Sequence, residues 1–195
     1  ALLAGAFIAF GAMFYTLVMT GNPLGFGPAR LLGGLAFSLG LVLVIVGGAE
    51  LFTGNSLIVM AWAAGKVSSA QLLRNWAVVY AGNFIGAAGT VLLVWLSGVY
   101  ALADGVMAET AAAIATGKLA LPWEQALIRG ILCNILVCLA VWLCFSARSV
   151  TDKILAILLP VSAFVALGFE HSIANMFLIP VGLLAGGLPL DAVAF

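Results

Sequence analysis

The sequence predicts an all-α membrane protein made of two inverted repeats, in which the second and fifth membrane segments are broken helices. Three observations lead to this fold class. The chain is 65% hydrophobic and only 7% charged, with a mean hydropathy of +1.28, whereas soluble domains average about 25% charged residues. Apolar runs long enough to cross about 30 Å of hydrocarbon recur along the chain, so the spans are predicted to be helices. A polar motif interrupts two of these runs at matching positions.

The predicted spans follow one another with polar connections between them. In chain order, the five membrane segments cover about residues 1–19, 30–64, 73–96, 128–145 and 154–185. The second and fifth are too long for one straight crossing, so each is predicted to form two half-helices. Gly25–Pro28 is expected to be part of the first loop, and 97–122 to be the longest polar connection.

The chain is predicted to form a single transmembrane domain over residues 1–195, with repeat one at about 1–98 and repeat two from about 122. A balanced three-plus-three repeat needs a sixth span, and Leu188–Phe195 is too short to provide it. We therefore expect the sixth span to lie outside the given residues.

The interrupting motif reads Gly-x-Glu-x-x-x-small-Asn and occurs at residues 48–55 and 168–175. Ionisable residues are costly inside a membrane and usually mark function. A pair of them in matching positions of two halves predicts a duplicated fold with paired broken helices. The second copy also contains His171, the only histidine in the chain.

Charge and cysteine patterns exclude several classes of function. Seven basic and seven acidic residues give a net charge of zero, which argues against a nucleic-acid partner. The three cysteines are spaced too irregularly to predict a metal site, and no cofactor is expected. Basic residues concentrate in the 66–74 and 146–153 connections, so the positive-inside rule places these connections in the cytoplasm.

The glutamates and asparagines of the motif are predicted to brace the helix breaks. A break frees backbone groups that hydrocarbon cannot satisfy. Glu50 and Glu170 are expected to pair with freed amides, and Asn55 and Asn175 to cap the half-helices that follow. Half-helix N-termini bind anions, whereas an exposed carboxylate repels them. Structural bracing is therefore preferred over direct substrate contact for both glutamates.

His171 is interpreted as part of a permeation path, because a group that titrates near neutral pH is a functional feature in a broken membrane helix. Two phenylalanines lie on small-residue helix faces nearby in sequence. Phe37 shares a face with glycines at 33, 40 and 47, and Phe164 precedes His171 by seven residues. Such faces are typical of a narrow apolar constriction or of close helix packing, and the spacing leaves both alternatives open.

Four stretches, 47–55, 75–86, 130–142 and 168–177, closely resemble the formate–nitrite transporter family, in particular its formate channels. The resemblance covers nearly all of the chain, and its first and last stretches are the most specific. It implies an aquaporin-like bundle of six spans with broken second and fifth helices, assembled as a homopentamer with one pore in each subunit.

The resemblance also implies two barriers in the pore. Phe37 and Phe164 correspond by position to the two pore constrictions. Leu51, Phe52 and Thr53 resemble the flexible loop that closes the cytoplasmic side.

A polar centre is implied in the same way. His171 resembles the central pore histidine, with Thr53 and Asn134 in its polar neighbourhood. Lys118 and Asn175 match residues implicated in anion attraction and histidine tuning. The family pattern offers no explanation for the charge of Arg129 near the start of the fourth span.

The sequence therefore predicts a channel or proton-linked carrier of small monovalent anions, most of all formate, in a bacterial-type inner membrane, and no enzyme. Nitrite, hydrosulfide, acetate and lactate are open alternatives as substrates. An aquaporin-type pore for neutral solutes would repeat Asn-Pro-Ala, but Ser56 and Met176 follow the two asparagines. An intramembrane hydrolase would need Ser172 and His171 to face each other, which neighbours on a helix do not do.

Overall fold

The computed structural model describes residues 1–187, so the predicted end of the last helix at 186–189 and the short segment Leu188–Phe195 lie partly or wholly outside the described residues. In chain order its helices are α1 (Leu2–Met19), α2 (Phe26–Val46), α3 (Ile58–Ala63), α4 (Ser69–Leu96), α5 (Val106–Leu119), α6 (Trp123–Ser146), α7 (Val150–Ala166) and α8 (Ser172–Ala185). Four of them, α1, α2, α4 and α6, are long and apolar enough to cross a membrane. The prediction of an all-α fold with broken second and fifth segments is confirmed, because α2 and α3 form one pair of half-helices and α7 and α8 form the other.

The packing of the helices repeats between the two halves. Helix α1 packs on α2 in the first half, and α6 packs on α7 in the second. The two long half-helices, α2 and α7, also pack on each other. Three crossings precede α6, so it runs opposite to α1. The halves are therefore inverted with respect to each other, and their broken helices meet in the centre of the bundle.

Two helices begin with the same side-chain cap. The hydroxyl of Ser68 accepts a hydrogen bond from the Gln71 amide at 3.2 Å, and the Gln71 side chain accepts one from the Ser68 amide at 2.8 Å. Ser149 and Asp152 form the same reciprocal arrangement at the start of α7. These capping boxes satisfy N–H groups that have no partner within the helix. They start α4 and α7 a few residues earlier than the hydropathy pattern predicted.

The prediction that Gly25–Pro28 is loop was wrong, because α2 begins at Phe26. Proline is tolerated in the first turn of a helix, where its missing N–H group would have no partner. Pro28 therefore lies inside the helix without breaking it.

Both broken helices end in the same left-handed glycine. Gly48 follows α2 with φ of 70°, and Gly168 follows α7 with φ of 74°. In each motif, the next residue donates its N–H to the carbonyl five positions back, at 2.8 Å for Ala49 and 3.0 Å for Phe169. This hydrogen bond and the positive φ define a Schellman helix end, which glycine adopts without strain. The first residue of the repeated motif is therefore glycine because it ends the helix.

The prediction that 97–122 is a polar connection was wrong, because it contains α5. Met107, Ala111 and Ala115 recur every four residues along α5, and all three are buried. They form a small-residue face that packs on α8, where a Cβ added to Gly182 would lie within 3.0 Å of the Ala111 carbonyl. The high alanine content of this segment favours a helix. The charged residues in the same segment led to the prediction of a polar connection instead.

The glycines of α2 serve helix packing. A Cβ added at Gly33 would lie 2.8 Å from the ring of Tyr15, and one at Gly40 would lie 3.1 Å from the backbone of Ile8. Tyr15 and Ile8 both belong to α1. Of the two alternatives for these glycines, close helix packing is therefore correct. The Phe37 side chain instead contacts the Phe164 ring of α7.

Helices α1 and α4 approach so closely that only glycine fits between them. A Cβ built on Gly86 of α4 would lie within 3.0 Å of the Leu2 carbonyl, and one on Gly5 of α1 would lie within 3.0 Å of the Asn83 carbonyl. Backbone cannot move aside as a flexible side chain can. Gly89, one turn further along α4, is exposed, and a Cβ added there would meet no atom within 4 Å.

We predict that Gly86→Val destabilises the bundle, because the added side chain would force α1 and α4 apart. Overpacking typically costs about 1–3 kcal/mol, so the thermal midpoint in detergent should fall by roughly 2–12 °C. Gly89→Val, on the open face of the same helix, is the matched control and should unfold close to the wild-type temperature. Equal midpoints for the two variants would contradict the close contact.

Candidate functional site

The two helix breaks meet at a hydrogen-bonding pair of side chains. Thr53 ends the first break and His171 ends the second, and Thr53 Oγ1 lies 3.4 Å from His171 Nε2. Both residues are buried, with exposed fractions of 6% and 4%. One polar site therefore forms from both repeats, deep in an otherwise apolar core.

His171 is the N-cap of α8. Its Nδ1 accepts a hydrogen bond from the Ala174 amide at 3.2 Å. The prediction that Asn175 caps this half-helix was therefore wrong. An accepting Nδ1 carries no hydrogen, so the neutral ring bears its proton on Nε2, the atom that faces Thr53. The cap thus turns Nε2–H into a donor directed at the meeting point of the two breaks.

An aromatic pair lies next to this histidine. The ring centroids of Phe37 and Phe164 are 5.7 Å apart at an angle of 80°, which is an edge-to-face contact. The His171 ring lies 6.3 Å from Phe37 and 5.8 Å from Phe164. The resemblance implied two constrictions formed by these phenylalanines, and the structure brings the two rings into direct contact with each other.

In each repeat the motif glutamate binds the motif asparagine. Asn55 donates its side-chain amide to the Glu50 carboxylate, and Asn175 donates to the Glu170 carboxylate at 2.8 Å. Asn55 also donates to Asn75 of α4 at 3.0 Å. Neither asparagine caps a half-helix, and in residues 1–187 both carboxylates pair with side chains rather than with freed backbone amides. Each Glu–Asn pair bridges its break.

Lys118 forms an ion pair with Glu170. The Lys118 Nζ lies 2.7 Å from Glu170 Oε2, and both side chains are less than a fifth exposed. Lys118 is in the last turn of α5, so this ion pair fastens α5 to the second break. Since the carboxylate offsets the ammonium charge, this pair adds little net charge to its surroundings.

Asn83 holds the first break and was not identified from the sequence. Its side chain accepts from the Phe52 amide at 2.9 Å and donates to the carbonyls of Glu50 and Ala1 at 2.9 and 2.8 Å. Asn83 is fully buried. Asn83 could have been found from the sequence, because it is a polar amide in the middle of an apolar span. Polar residues at such positions usually have a structural or functional role.

Two arginines lie against the second break, and Arg30 makes the shorter hydrogen bonds to it. Arg30 donates to the carbonyls of Val165 and Ala166 at 2.6 and 3.1 Å, and to the Tyr15 hydroxyl at 3.0 Å. These carbonyls end α7, where the helix dipole favours a cation. Arg129 of α6 approaches the Gly168 carbonyl at 3.5 Å.

Three cavities border the two breaks and the residues around them. A basic cavity of about 240 Å³ is lined by Arg30, Lys118, Arg129, Glu170, Phe37, Phe164 and His171, among others. An amide cavity of about 510 Å³ includes Phe52, Thr53, Ser56, Asn134, His171 and Asn175. An apolar cavity of about 310 Å³ includes Leu41, Val44, Leu51, Met60 and Phe145. The first two meet at His171.

The remaining predicted residues line these cavities. Asn134 donates to Ser56 at 3.1 Å and shares the amide cavity with His171 without a direct hydrogen bond to it. Leu51 is buried and borders the apolar cavity. Phe52 contacts Tyr80 edge-to-face, with centroids 5.0 Å apart.

The sequence profile described as "Formate/nitrite transporter" matches residues 1–195. This chain belongs to the formate/nitrite transporter family. The resemblance that the sequence suggested is therefore confirmed.

Curated members of this family are similar over most of the chain. The formate channel FocA of Escherichia coli (strain K12) is 49% identical over 184 residues, which cover 94% of this chain and 65% of FocA. FocA of Haemophilus influenzae is 45% identical, covering 93% and 64%. A probable formate transporter of Methanothermobacter thermautotrophicus is 40% identical, covering 95% and 74%. The chain thus spans about 65% of the length of the FocA relatives.

Two solved structures of the family have the same fold. A "Pentameric formate channel with formate bound" matches with a TM-score of 0.91 and 46% identity, covering 98% of this chain and 76% of that one. An "FNT family ion channel" matches with a TM-score of 0.84 and 31% identity, covering 98% and 77%. With its four long apolar helices, this family member is a multi-pass membrane protein. These five relatives are named as channels or transporters, none as an enzyme.

We predict that Asn83→Leu destabilises the protein, because it leaves the Phe52 amide and the Glu50 carbonyl without partners inside the bundle. An unsatisfied buried group costs about 1–3 kcal/mol. The thermal midpoint in detergent should therefore fall by several degrees. Tyr80→Phe, on the same helix, retains the aromatic contact with Phe52 and should unfold near the wild-type temperature. A stable Asn83→Leu protein would show that other groups hold the first break.

Proposed function

We propose that this chain is the transmembrane part of a channel or proton-linked transporter for small monovalent anions, with formate as the principal substrate. One observation carries the proposal. The Nε2–H of a buried histidine lies where the two helix breaks meet, directly beside the aromatic pair. The names of the similar proteins support formate as the substrate. Nitrite and hydrosulfide are the alternatives within the family.

The proposed route follows the three cavities. An anion enters the basic cavity, crosses the barrier of Phe37 and Phe164, and reaches the amide cavity at His171 and Thr53. It then leaves past Leu51 and Phe52 through the apolar cavity. Phe37 and Val44 border the first and last of these cavities. At 1.5 Å per residue these two positions are about 10 Å apart along α2, so the basic and apolar cavities lie at different depths of the bundle.

The aromatic barrier explains why a proton would assist transport. Moving a bare carboxylate between two phenyl rings removes its water without providing hydrogen bonds, which is costly. A neutral acid crosses such a barrier far more easily. His171 is within reach of both sides of the barrier, and its Nε2–H donates to the anion oxygen. We propose that proton exchange near His171 links formate flux to pH.

Assembly and location complete the proposal. A relative of the same fold is described as pentameric, and we propose a homopentamer with one route in each subunit. We place it in the inner (cytoplasmic) membrane, with the 66–74 and 146–153 connections in the cytoplasm, because basic residues concentrate there. Residues 1–195 are proposed to belong to one transmembrane domain.

The proton link is tested with His171→Asn in the full-length protein, reconstituted into liposomes. Asparagine is a good N-cap, so α8 keeps an acceptor for the Ala174 amide while the titrating group is removed. We expect the variant to assemble, yet to lose the rise in formate flux that acidification from about pH 8 to about pH 5 produces. The measurement is formate uptake across this range, with nitrite and hydrosulfide compared at one pH.

Wild-type protein in the same liposomes is the reference for this pH profile, and protein-free liposomes correct for passive entry of formic acid. If His171→Asn keeps the wild-type profile, the proton hypothesis is wrong and His171 is only a donor lining the route. If the wild-type protein carries more nitrite or hydrosulfide than formate, the faster anion is the principal substrate and the formate proposal is wrong.

We also predict that Phe37→Ala or Phe164→Ala relaxes selectivity, because removing one ring of the edge-to-face pair widens the proposed aromatic barrier. Fluxes of acetate and lactate should rise relative to formate. Phe84→Ala is the matched control, since Phe84 lies on α4 with half of its surface exposed. Unchanged ratios of the three fluxes in both pore variants would assign these rings to helix packing alone.

A further inference from the structure

Arg129 is the least satisfied cation of the basic cavity. Its Nη1 is 3.5 Å from the Gly168 carbonyl, at the limit of hydrogen-bond length. A guanidinium carries five N–H donors in a planar fork. Arg30, by comparison, makes three shorter hydrogen bonds, to Val165, Ala166 and Tyr15. Arg129 therefore keeps most of its donors for another acceptor.

The charges around the basic cavity do not cancel. Lys118, Arg30, Arg129 and Glu170 line it, and Glu170 is paired with Lys118. Across residues 1–187, neither arginine has a carboxylate within 4.0 Å. In the described part of the chain, the hydrogen bonds of the two guanidinium groups go to backbone carbonyls and to the Tyr15 hydroxyl. The cavity therefore holds an excess of positive charge.

The backbone also fixes Arg129 in position. Its carbonyl accepts a hydrogen bond from the Glu170 amide at 3.4 Å. The start of α6 is thus joined to the residue that precedes His171. Arg129 also lines the same cavity as His171, Phe37 and Phe164.

We propose that Arg129, supported by the charge of Arg30, is the binding residue that holds a two-oxygen anion such as formate at the mouth of the aromatic barrier. This inference rests on the proposed function and assigns the first binding step to one residue. Two parallel N–H···O hydrogen bonds from a guanidinium match the two oxygens of a carboxylate. A lysine in the same place offers the charge without the fork.

A binding site and a structural strut differ in their kinetic effects. A residue that only supports the second break would change maximal flux and thermal stability when it is replaced. A residue that binds the anion before the barrier would change the formate concentration that gives half-maximal flux. It would also make that concentration rise with ionic strength, because salt screens the attraction.

The test uses full-length wild-type, Arg129→Gln and Arg129→Lys proteins in liposomes, with sodium formate as the probe. We expect Arg129→Gln to raise the half-saturating formate concentration about tenfold, as loss of a charge-assisted bidentate contact does. Arg129→Lys should raise it less, by about threefold, because the charge stays. Maximal flux should stay within about twofold of wild type in both. Arg148→Gln is the matched control, because Arg148 is exposed in the connection between α6 and α7.

Several results would overturn the assignment. Wild-type formate flux with unchanged half-saturation in both variants would leave the proposed function in place and remove Arg129 from binding. Lower maximal flux with unchanged half-saturation would identify a strut. If Arg129→Gln does not assemble, Arg129→Lys decides, and a wild-type half-saturation in that variant overturns the proposal. Absence of formate flux through the wild-type protein would overturn both this inference and the function on which it rests.

Discussion

The structure depends on one constraint: hydrocarbon offers no hydrogen bonds to the backbone of a broken helix. Each break frees N–H and C=O groups in the centre of the bundle, and each must be given partners by the protein. A left-handed glycine ends the first half-helix in both repeats. Side chains from distant helices then satisfy the remaining groups. The polar site exists because these obligatory partners gather at the same depth.

The two repeats solve this problem with different side chains. At the first break, the neutral amide of Asn83 bonds an N–H and a carbonyl of the loop. At the second, Arg30 bonds the carbonyls that end α7, and His171 caps α8. The two breaks therefore share a backbone conformation, but a neutral side chain completes the first break and charged or titratable side chains complete the second. The polar groups at the centre of this fold thus come from the side chains that hydrogen-bond the broken backbone.

The features that sequence reasoning recovered are local ones. Helical spans, the glycine helix ends and the two breaks are each specified by residues that are close together in the sequence. Such features can be predicted from the pattern of neighbouring residues alone. The partners of the breaks are not local: Asn83 bonds residues more than thirty positions away, and Arg30 bonds residues 135 and 136 positions away. The cap of α8 was assigned to Asn175 because asparagine is a common cap. The structure gives this role to His171, since Glu170 engages the asparagine amide.

The basic and apolar cavities differ in charge, and this difference affects how an anion would load from each face of the membrane. In the proposed route, a carboxylate would meet two guanidinium groups at one mouth and mostly apolar side chains at the other, so the occupancy of the two entrances would differ at equal concentration. Microscopic reversibility forbids such an asymmetric passive route from moving solute uphill. It does permit unequal saturation from the two faces. A cell that both exports and imports one anion through such a route would thus obtain two concentration thresholds from a single passage, set by the residues that line its two entrances.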